Sequence, residues 1–173
     1  MQSDFEILIS GKQIAEKVQE IGAQITRDFQ NRELVIIGVL RGCFVFMADL
    51  ARAIDLPVAI DFMEVSSYGD DLESSGNVKI IKDIKDPIHG KHVLLIEDII
   101  DTGHTLNFVV DHLKLKNPAS IGIAGLLIKK DKHNFRGKID YSGFDIADHF
   151  VVGYGMDAKG LYRNLDHVAI FRA

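Results

Sequence analysis

The stretch "VLLIEDIIDTGHTL", residues 93–106, carries the strongest signal in the sequence. It begins as an apolar run, which is typical of a buried strand. Three acids follow within five positions, Glu97, Asp98 and Asp101, and the chain then turns through D-T-G-H-T. A turn of this kind is suited to binding an anion, yet a bound anion repels nearby carboxylates. The three acids therefore need a role of their own.

The rest of the chain predicts an α/β fold. Runs that are apolar on both faces alternate with amphipathic helices, which indicates a mainly parallel sheet covered on two sides. Ser10 and Gln13 predict a capping box at the start of the first helix. The predicted strands are 34–40, 58–65, 77–84, 92–98, 120–130, 150–154 and 167–171, and the predicted helices are 11–29, 44–54 and 105–116. The polar segment 66–76 predicts a mobile surface loop.

Composition excludes several classes of protein. The chain has 173 residues, enough for one domain with a sizeable core. Its net charge of −5 gives no basic field for nucleic acid. A single cysteine, Cys43, allows no internal disulfide and fits a reducing cytoplasm. The first residues do not have the pattern of a signal peptide, and no apolar run is long enough to span a bilayer.

The corner after the strand at 92–98 is the expected ligand site. In open α/β sheets, ligands bind where the carboxyl ends of strands meet helix starts. Gly103 allows close approach of the backbone, and the free amides and dipole of the next helix favour a phosphate. Glu97 and Asp98 suit paired sugar hydroxyls, directly or through Mg²⁺, and Asp101 suits proton exchange. The alternative is that these acids only cap the helix.

Residues 93–106 resemble the 5-phosphoribosyl-1-pyrophosphate motif of type I phosphoribosyltransferases: an apolar strand, two acids, two apolar residues and D-T-G-x-T. Further matches cover nearly the whole chain: "LRGCFVFMADL" (40–50), "SSYG" (66–69), "LLIKK" (126–130), "FVVGYGMD" (150–157) and "YRNLDHVAI" (162–170). Together they resemble the purine-salvage branch of this family. The resemblance implies one domain over residues 1–173, with a mainly parallel twisted sheet flanked by helices and a small hood formed by the terminal segments.

The resemblance also implies a reaction and its residues. The implied enzyme transfers 5-phosphoribosyl from 5-phosphoribosyl-1-pyrophosphate to hypoxanthine or guanine, giving IMP or GMP and pyrophosphate, with Mg²⁺ as cofactor. Asp101 would be the general acid or base at purine N7, and the peptide joining Leu40 and Arg41 would be cis. The other implied sites are the ribose (Glu97, Asp98), the 5′-phosphate (Asp101, Thr102, Gly103, His104, Thr105), pyrophosphate (Leu40, Arg41, Gly42, Arg163), the purine (Lys129, Phe150, Val151), a lid (Ser67, Tyr68) and the metal (Glu97, Asp98, Asp157).

Taken alone, several of these residues have simpler explanations. Arg163 is then a surface arginine, Lys129 a solvated lysine at a strand end, and Phe150 and Val151 are core residues of a strand. Cys43 is interpreted as a buried thiol at a helix start and not as a nucleophile. His89 and His92 have no further ligands at zinc spacing, so no transition metal is assigned.

Rival functions stay open at this point. One is a regulator that keeps the nucleotide pocket but controls RNA or a protein partner; the acidic charge and the intact Asp101, Lys129 and Arg163 argue against it. Another is the same chemistry on xanthine. A dinucleotide-binding domain is disfavoured because no G-x-G-x-x-G follows a strand. The expected partners are the pyrophosphate donor and a 6-oxopurine, with no nucleic acid or membrane, in a cytoplasmic homodimer or homotetramer.

Overall fold

The computed structural model describes residues 5–67 and 78–172. Along the chain its elements are β1 (Phe5–Ile9), α1 (Gly11–Asp28), β2 (Leu34–Leu40), α2 (Phe44–Ala53), β3 (Val58–Ser67), β4 (Val78–Lys82), β5 (His92–Ile100), α3 (His104–Lys114), β6 (Ser120–Ile128), β7 (Tyr141–Asp145), β8 (Val151–Val152) and β9 (Val168–Phe171). The main sheet has the order β4-β3-β2-β5-β6-β7, with β4 antiparallel and the other pairs parallel. The prediction of a mainly parallel sheet is confirmed.

Two cores lie on opposite faces of the main sheet. Successive strand residues alternate between them, so Ile36 packs with α1 and α2 while Ile37 packs with α3. α1 begins at the predicted capping box, in which the side chains of Ser10 and Gln13 each accept a hydrogen bond from the other's backbone amide. In the part of the chain that the structure describes, no helix is long and apolar enough to cross a membrane.

The terminal segments form a second, smaller sheet. β1, β9 and β8 pair antiparallel in that order, which confirms the hood. Phe5, Tyr162 and Phe171 pack together on it, with ring centroids 4.9 to 5.9 Å apart. The hood places the segment around β8 at the carboxyl edge of the main sheet, where the expected ligand site lies.

Several boundaries differ from the predicted ones. β5 extends to Ile100, two residues beyond the predicted end at 98, so Glu97 and Asp98 lie inside the strand. β3 extends through Ser67, so the first two residues of the predicted loop belong to a strand. The remainder of that loop lies outside the described residues. It includes Tyr68, so the lid implied for Ser67 and Tyr68 stays a prediction. Strands β1 and β7 were not predicted.

Candidate active site

The corner between β5 and α3 has the geometry of an anion site. Gly103 is the N-cap of α3 and has a φ of 80°, a left-handed conformation that favours glycine. A Cβ at Gly103 would lie 2.8 Å from the amide nitrogen of Phe135, so the turn is also packed too closely for a side chain. Asn107 is the residue whose amide makes the first hydrogen bond of the helix, to the carbonyl of Gly103 at 2.9 Å.

The amides before Asn107 are available to a ligand. The His104 amide makes only a long hydrogen bond, 3.4 Å, to the hydroxyl of Thr102. Within residues 5–67 and 78–172, the amides of Thr102 and Thr105 donate to no other protein group. Unpartnered amides at a helix start, together with the helix dipole, are the main features of a phosphate site.

Helix capping does not explain the acids. Among the described residues, no side chain makes a capping hydrogen bond at Gly103. The Asp101 carboxylate is instead directed toward Lys129 and Lys132, 3.2 Å from each ammonium. Glu97 and Asp98 lie within β5 and are too far back along the chain to act as caps.

Glu97 and Asp98 form a pair of like charges in which Glu97 is buried and Asp98 is half-buried. Glu97 is 7% exposed, and its pKa is well above the usual range because of burial and the neighbouring charge of Asp98. Burial raises the pKa of Asp98 to about 6, with a further contribution from Asp157, although backbone amides and Arg163 act in the opposite direction. Such a pair favours a ligand that brings hydroxyl donors or a cation.

The turn after β2 faces this acid pair. The Leu40–Arg41 peptide is cis, as the family resemblance implied. Gly42 follows it and packs directly against the Asp98 carboxylate. Cys43 then begins α2 with a buried thiol, whose pKa is raised by burial and by the charges of Asp98 and Glu97. A thiol held protonated in this way agrees with the interpretation of Cys43 as a packing residue.

Lys129 and Phe150 lie at the neighbouring end of the site. Lys129 follows β6 with its side chain buried, and its ammonium donates to Asp101 at 3.2 Å and to Asp148 at 2.7 Å. It is therefore not a solvated strand-end lysine. Phe150 is 59% exposed and touches Phe171 in an edge-on contact, which leaves its ring available for stacking. Val151 is buried in β8, which agrees with the alternative that it is a core residue of a strand.

Arg163 is fixed in the hood and points into the site. Its guanidinium donates to the carbonyl of Gly155 at 2.6 Å and pairs with Asp157 at 2.6 Å. Asp157 also accepts a hydrogen bond from the Gly160 amide at 2.6 Å. These contacts rule out a free surface arginine, and they show that Asp157 is already engaged by a cation.

Two adjoining cavities bring these residues together. One, of about 260 Å³, is lined by the corner, Glu97 and the turn after β2. The other, of about 340 Å³, is lined by Lys129, Phe150 and Arg163. Five residues line both cavities: Arg41, Gly42, Asp98, Ile99 and Asp101. In the described part of the chain, no three His, Cys, Asp or Glu side chains are grouped so as to hold a metal alone.

Asp148 and Lys132 were not expected in the site. The Lys132 ammonium lies 3.2 Å from Asp101 and 3.0 Å from Asp148. Both residues occur in polar segments with no periodicity, and no sequence signal separates them from ordinary surface charges. Their position follows from the loops after β6 and β7 meeting at the sheet edge.

Comparison with known proteins identifies the family. A family model described as a phosphoribosyl transferase domain matches residues 6–159. The chain belongs to the phosphoribosyltransferase family. Within it, the chain is 46% identical over 166 residues to hypoxanthine phosphoribosyltransferase of Haemophilus influenzae, covering 94% of this chain and 93% of that protein. It is 44% identical over 173 residues to hypoxanthine-guanine phosphoribosyltransferase of Bacillus subtilis, covering 99% and 96%.

The fold of this phosphoribosyltransferase agrees with solved structures of the family. A crystal structure of a hypoxanthine phosphoribosyltransferase from Staphylococcus aureus superposes with a TM-score of 0.93 at 42% identity. The superposition covers 96% of this chain and 91% of the other. Family and fold, as they were inferred from residues 93–106 and the further motifs, are both confirmed.

Proposed function

We propose that the protein is a purine salvage enzyme that transfers 5-phosphoribosyl from 5-phosphoribosyl-1-pyrophosphate to hypoxanthine or guanine. IMP or GMP and pyrophosphate would be the products. One observation carries the proposal: Asp101 borders two adjoining cavities, one with free corner amides and the other with Lys129 and an exposed Phe150 ring. A sugar phosphate in the first and a flat oxopurine in the second would meet beside Asp101.

The sugar-phosphate end would hold the donor. The corner amides of Thr102 and Thr105 would donate to the 5′-phosphate, while Glu97 and Asp98 would accept from the ribose hydroxyls. Arg163 and the backbone at Gly42 would face the pyrophosphate, which leaves as its bond to ribose C1 breaks. As that bond breaks, positive charge develops at C1 in an oxocarbenium-like state, and the nearby carboxylates stabilise it.

The base end would orient the acceptor. Phe150 would stack on the purine, and Lys129 would donate to its exocyclic oxygen, which favours 6-oxopurines over adenine. The purine nitrogen then forms the new bond to C1. Asp101 would take the proton that the base loses at N7, because it borders both cavities.

We propose Mg²⁺ as the cofactor, held by Glu97 and Asp98 with Asp157 near the pyrophosphate. The fit is good for the first two, since they are adjacent hard oxygen ligands whose pKa values are raised by burial and by neighbouring negative charge, which a bound cation would offset. Asp157 would have to share its carboxylate with Arg163. Because the site has so few carboxylates, the remaining ligands of the ion would be oxygen atoms of the pyrophosphate donor and water molecules. Bound there, the ion would offset the negative charge of the leaving pyrophosphate.

Turnover with four bases tests the function. The purified protein is incubated with the pyrophosphate donor, Mg²⁺ and either hypoxanthine, guanine, xanthine or adenine, and nucleotide formation is followed. Hypoxanthine or guanine should react and adenine should not, because adenine offers Lys129 no acceptor. Turnover of xanthine alone would support the rival substrate. If none of the four bases is turned over, the proposed enzymatic function is contradicted and a nucleotide-binding regulator is favoured.

We also propose that the protein acts in the cytoplasm as a homodimer or homotetramer. Large apolar side chains that are exposed support self-association, among them Phe44, Ile60 and Ile81. A cytoplasmic location suits a highly charged donor, which cannot cross a bilayer unaided. Sedimentation equilibrium measures the oligomer, and a monomeric mass at working concentration would contradict that part of the proposal.

A further inference from the structure

Four charges alternate at the base end of the site. Lys129 contacts Asp101 at 3.2 Å and Asp148 at 2.7 Å, and Lys132 contacts the same two carboxylates at 3.2 and 3.0 Å. Each cation therefore bridges both acids. The charges sum to zero, which offsets the cost of burying the side chain of Lys129, only 7% exposed.

The sheet brings these residues together from three neighbouring strands. Asp101 follows β5, Lys129 follows β6 and Asp148 follows β7, and these strands are adjacent and parallel. Lys129 lines the base-side cavity, whereas among the described residues Asp148 is not part of that lining. Of the two lysines that Asp148 contacts, Lys129 is the one that lines this cavity, so it is the direct link between Asp148 and a bound base.

We propose that Asp148 is a positioning residue for purine recognition, which holds the ammonium of Lys129 at the base cavity. This inference rests on the proposed function. An ammonium has three N–H donors, and Asp101 and Asp148 accept two of them, so one stays free for the exocyclic oxygen of the base. When Asp101 turns to purine N7, Asp148 keeps Lys129 in place.

Removal of the Asp148 charge would leave Lys129 with Asp101 as its remaining acidic partner. The ammonium would then move toward the catalytic carboxylate and away from the base. Lys132 has the complementary role, since it neutralises the two acids. Hydrogen bonds from Lys129 and Lys132 lower the pKa of Asp148, which agrees with a carboxylate that stays charged at neutral pH.

Steady-state kinetics of Asp148→Asn tests the inference. We expect the KM for hypoxanthine to rise about tenfold, the size of effect expected for one charge-assisted hydrogen bond. The KM for the pyrophosphate donor should stay within about twofold of wild type, because the corner is unchanged. Asp148→Glu should recover most of the base affinity, since it restores the carboxylate. The side chain is 59% exposed, so thermal unfolding should be nearly unaffected.

A matched control uses another acid on the same edge. Asp145, at the end of β7, pairs with Lys130 on the surface, and Asp145→Asn should leave both KM values unchanged. If the wild type forms nucleotide and Asp148→Asn keeps its base KM, or changes both KM values equally, the inference is wrong and the proposed function stands. If the wild type forms no nucleotide with any base, the proposed function fails and this inference with it.

Discussion

The carboxylate of Asp98 lies against Gly42, so closely that a Cβ at position 42 would collide with Oδ2. The carbonyl of Gly42 is in turn covered by Gly155, where a side chain would collide with that oxygen. Three parts of the site thus meet at Gly42: the turn after β2, the acid pair of β5 and the hood. Neither Gly42 nor Gly155 has space for a methyl group. Glycine at 42 keeps the backbone accessible from the donor cavity.

Gly42→Ala should abolish most activity while leaving the fold intact. The added methyl group would displace Asp98, and we expect kcat/KM to fall about 100-fold, the cost of a displacement of roughly 1 Å in an active site. Gly90→Asn is the control, since that turn has open space and a φ of 73° that asparagine tolerates. Wild-type kinetics of Gly42→Ala would show that this contact is not needed for donor binding.

Asp101→Asn should separate chemistry from donor binding. An amide cannot take the purine proton, so kcat should fall by a factor of about 10² to 10⁴. On the proposed function, main-chain amides bind the 5′-phosphate, so the dissociation constant of the donor, measured by calorimetry, should change little. Asp111→Asn, on the exposed face of α3, is the control. An unchanged kcat would mean that another group accepts the proton.

Glu97→Gln should raise the stability of the protein and lower its affinity for the donor. Burial of the Glu97 carboxylate, and then the charge of Asp98, raise its pKa and disfavour its ionised form, and a neutral amide of the same shape removes both costs. We expect the ligand-free protein to gain about 1 kcal/mol in free energy of unfolding. Donor affinity in the presence of Mg²⁺ should fall. Denaturant unfolding and calorimetry measure the two effects, and a loss of both stability and affinity would argue that Glu97 is a structural residue.

The sequence was most informative where one segment carries the whole feature. The corner could be predicted from residues 93–106 because its strand, acids and turn are consecutive. β7 was missed because "YSGFD" lacks an apolar run; it forms because Tyr141 and Phe144 pair with β6 at the sheet edge. The contacts of Asp148 join loops that are distant in sequence, and such contacts follow from tertiary packing that no local pattern records.

Asn107→Ala should loosen the segment that carries Lys129 and Lys132. The side-chain Nδ2 of Asn107 donates to the carbonyl of Asn134 at 3.1 Å, and its side-chain Oδ1 accepts from the backbone amide of Arg136 at 3.0 Å. Two backbone groups lose a partner, so we expect a loss of about 1–2 kcal/mol in free energy of unfolding and a higher KM for the base. Gln19→Ala on the exposed face of α1 is the control. A stability loss without a change in base KM would limit Asn107 to a structural role.

Asp83→Asn should weaken the protein in a pH-dependent way. Asp83 accepts from His112 at 2.9 Å and Lys116 at 2.8 Å, which joins the end of β4 to α3. Burial acts to raise its pKa, but the hydrogen bonds from Lys116, His112 and the Ile84 amide outweigh burial, so the pKa lies below the usual value.

The sign of the effect follows from that direction. A carboxylate with a lowered folded pKa contributes stability above its unfolded pKa, about 3.9, and loses it as pH falls through the folded value. At pH 7 the variant should lose about 0.5–1 kcal/mol, since the cluster is partly exposed. Urea unfolding measured from pH 7 downward should show the gap closing once pH is below the ordinary aspartate range. Asp86→Asn is the control, and a gap that stays constant would show that the Asp83 charge does not cause it.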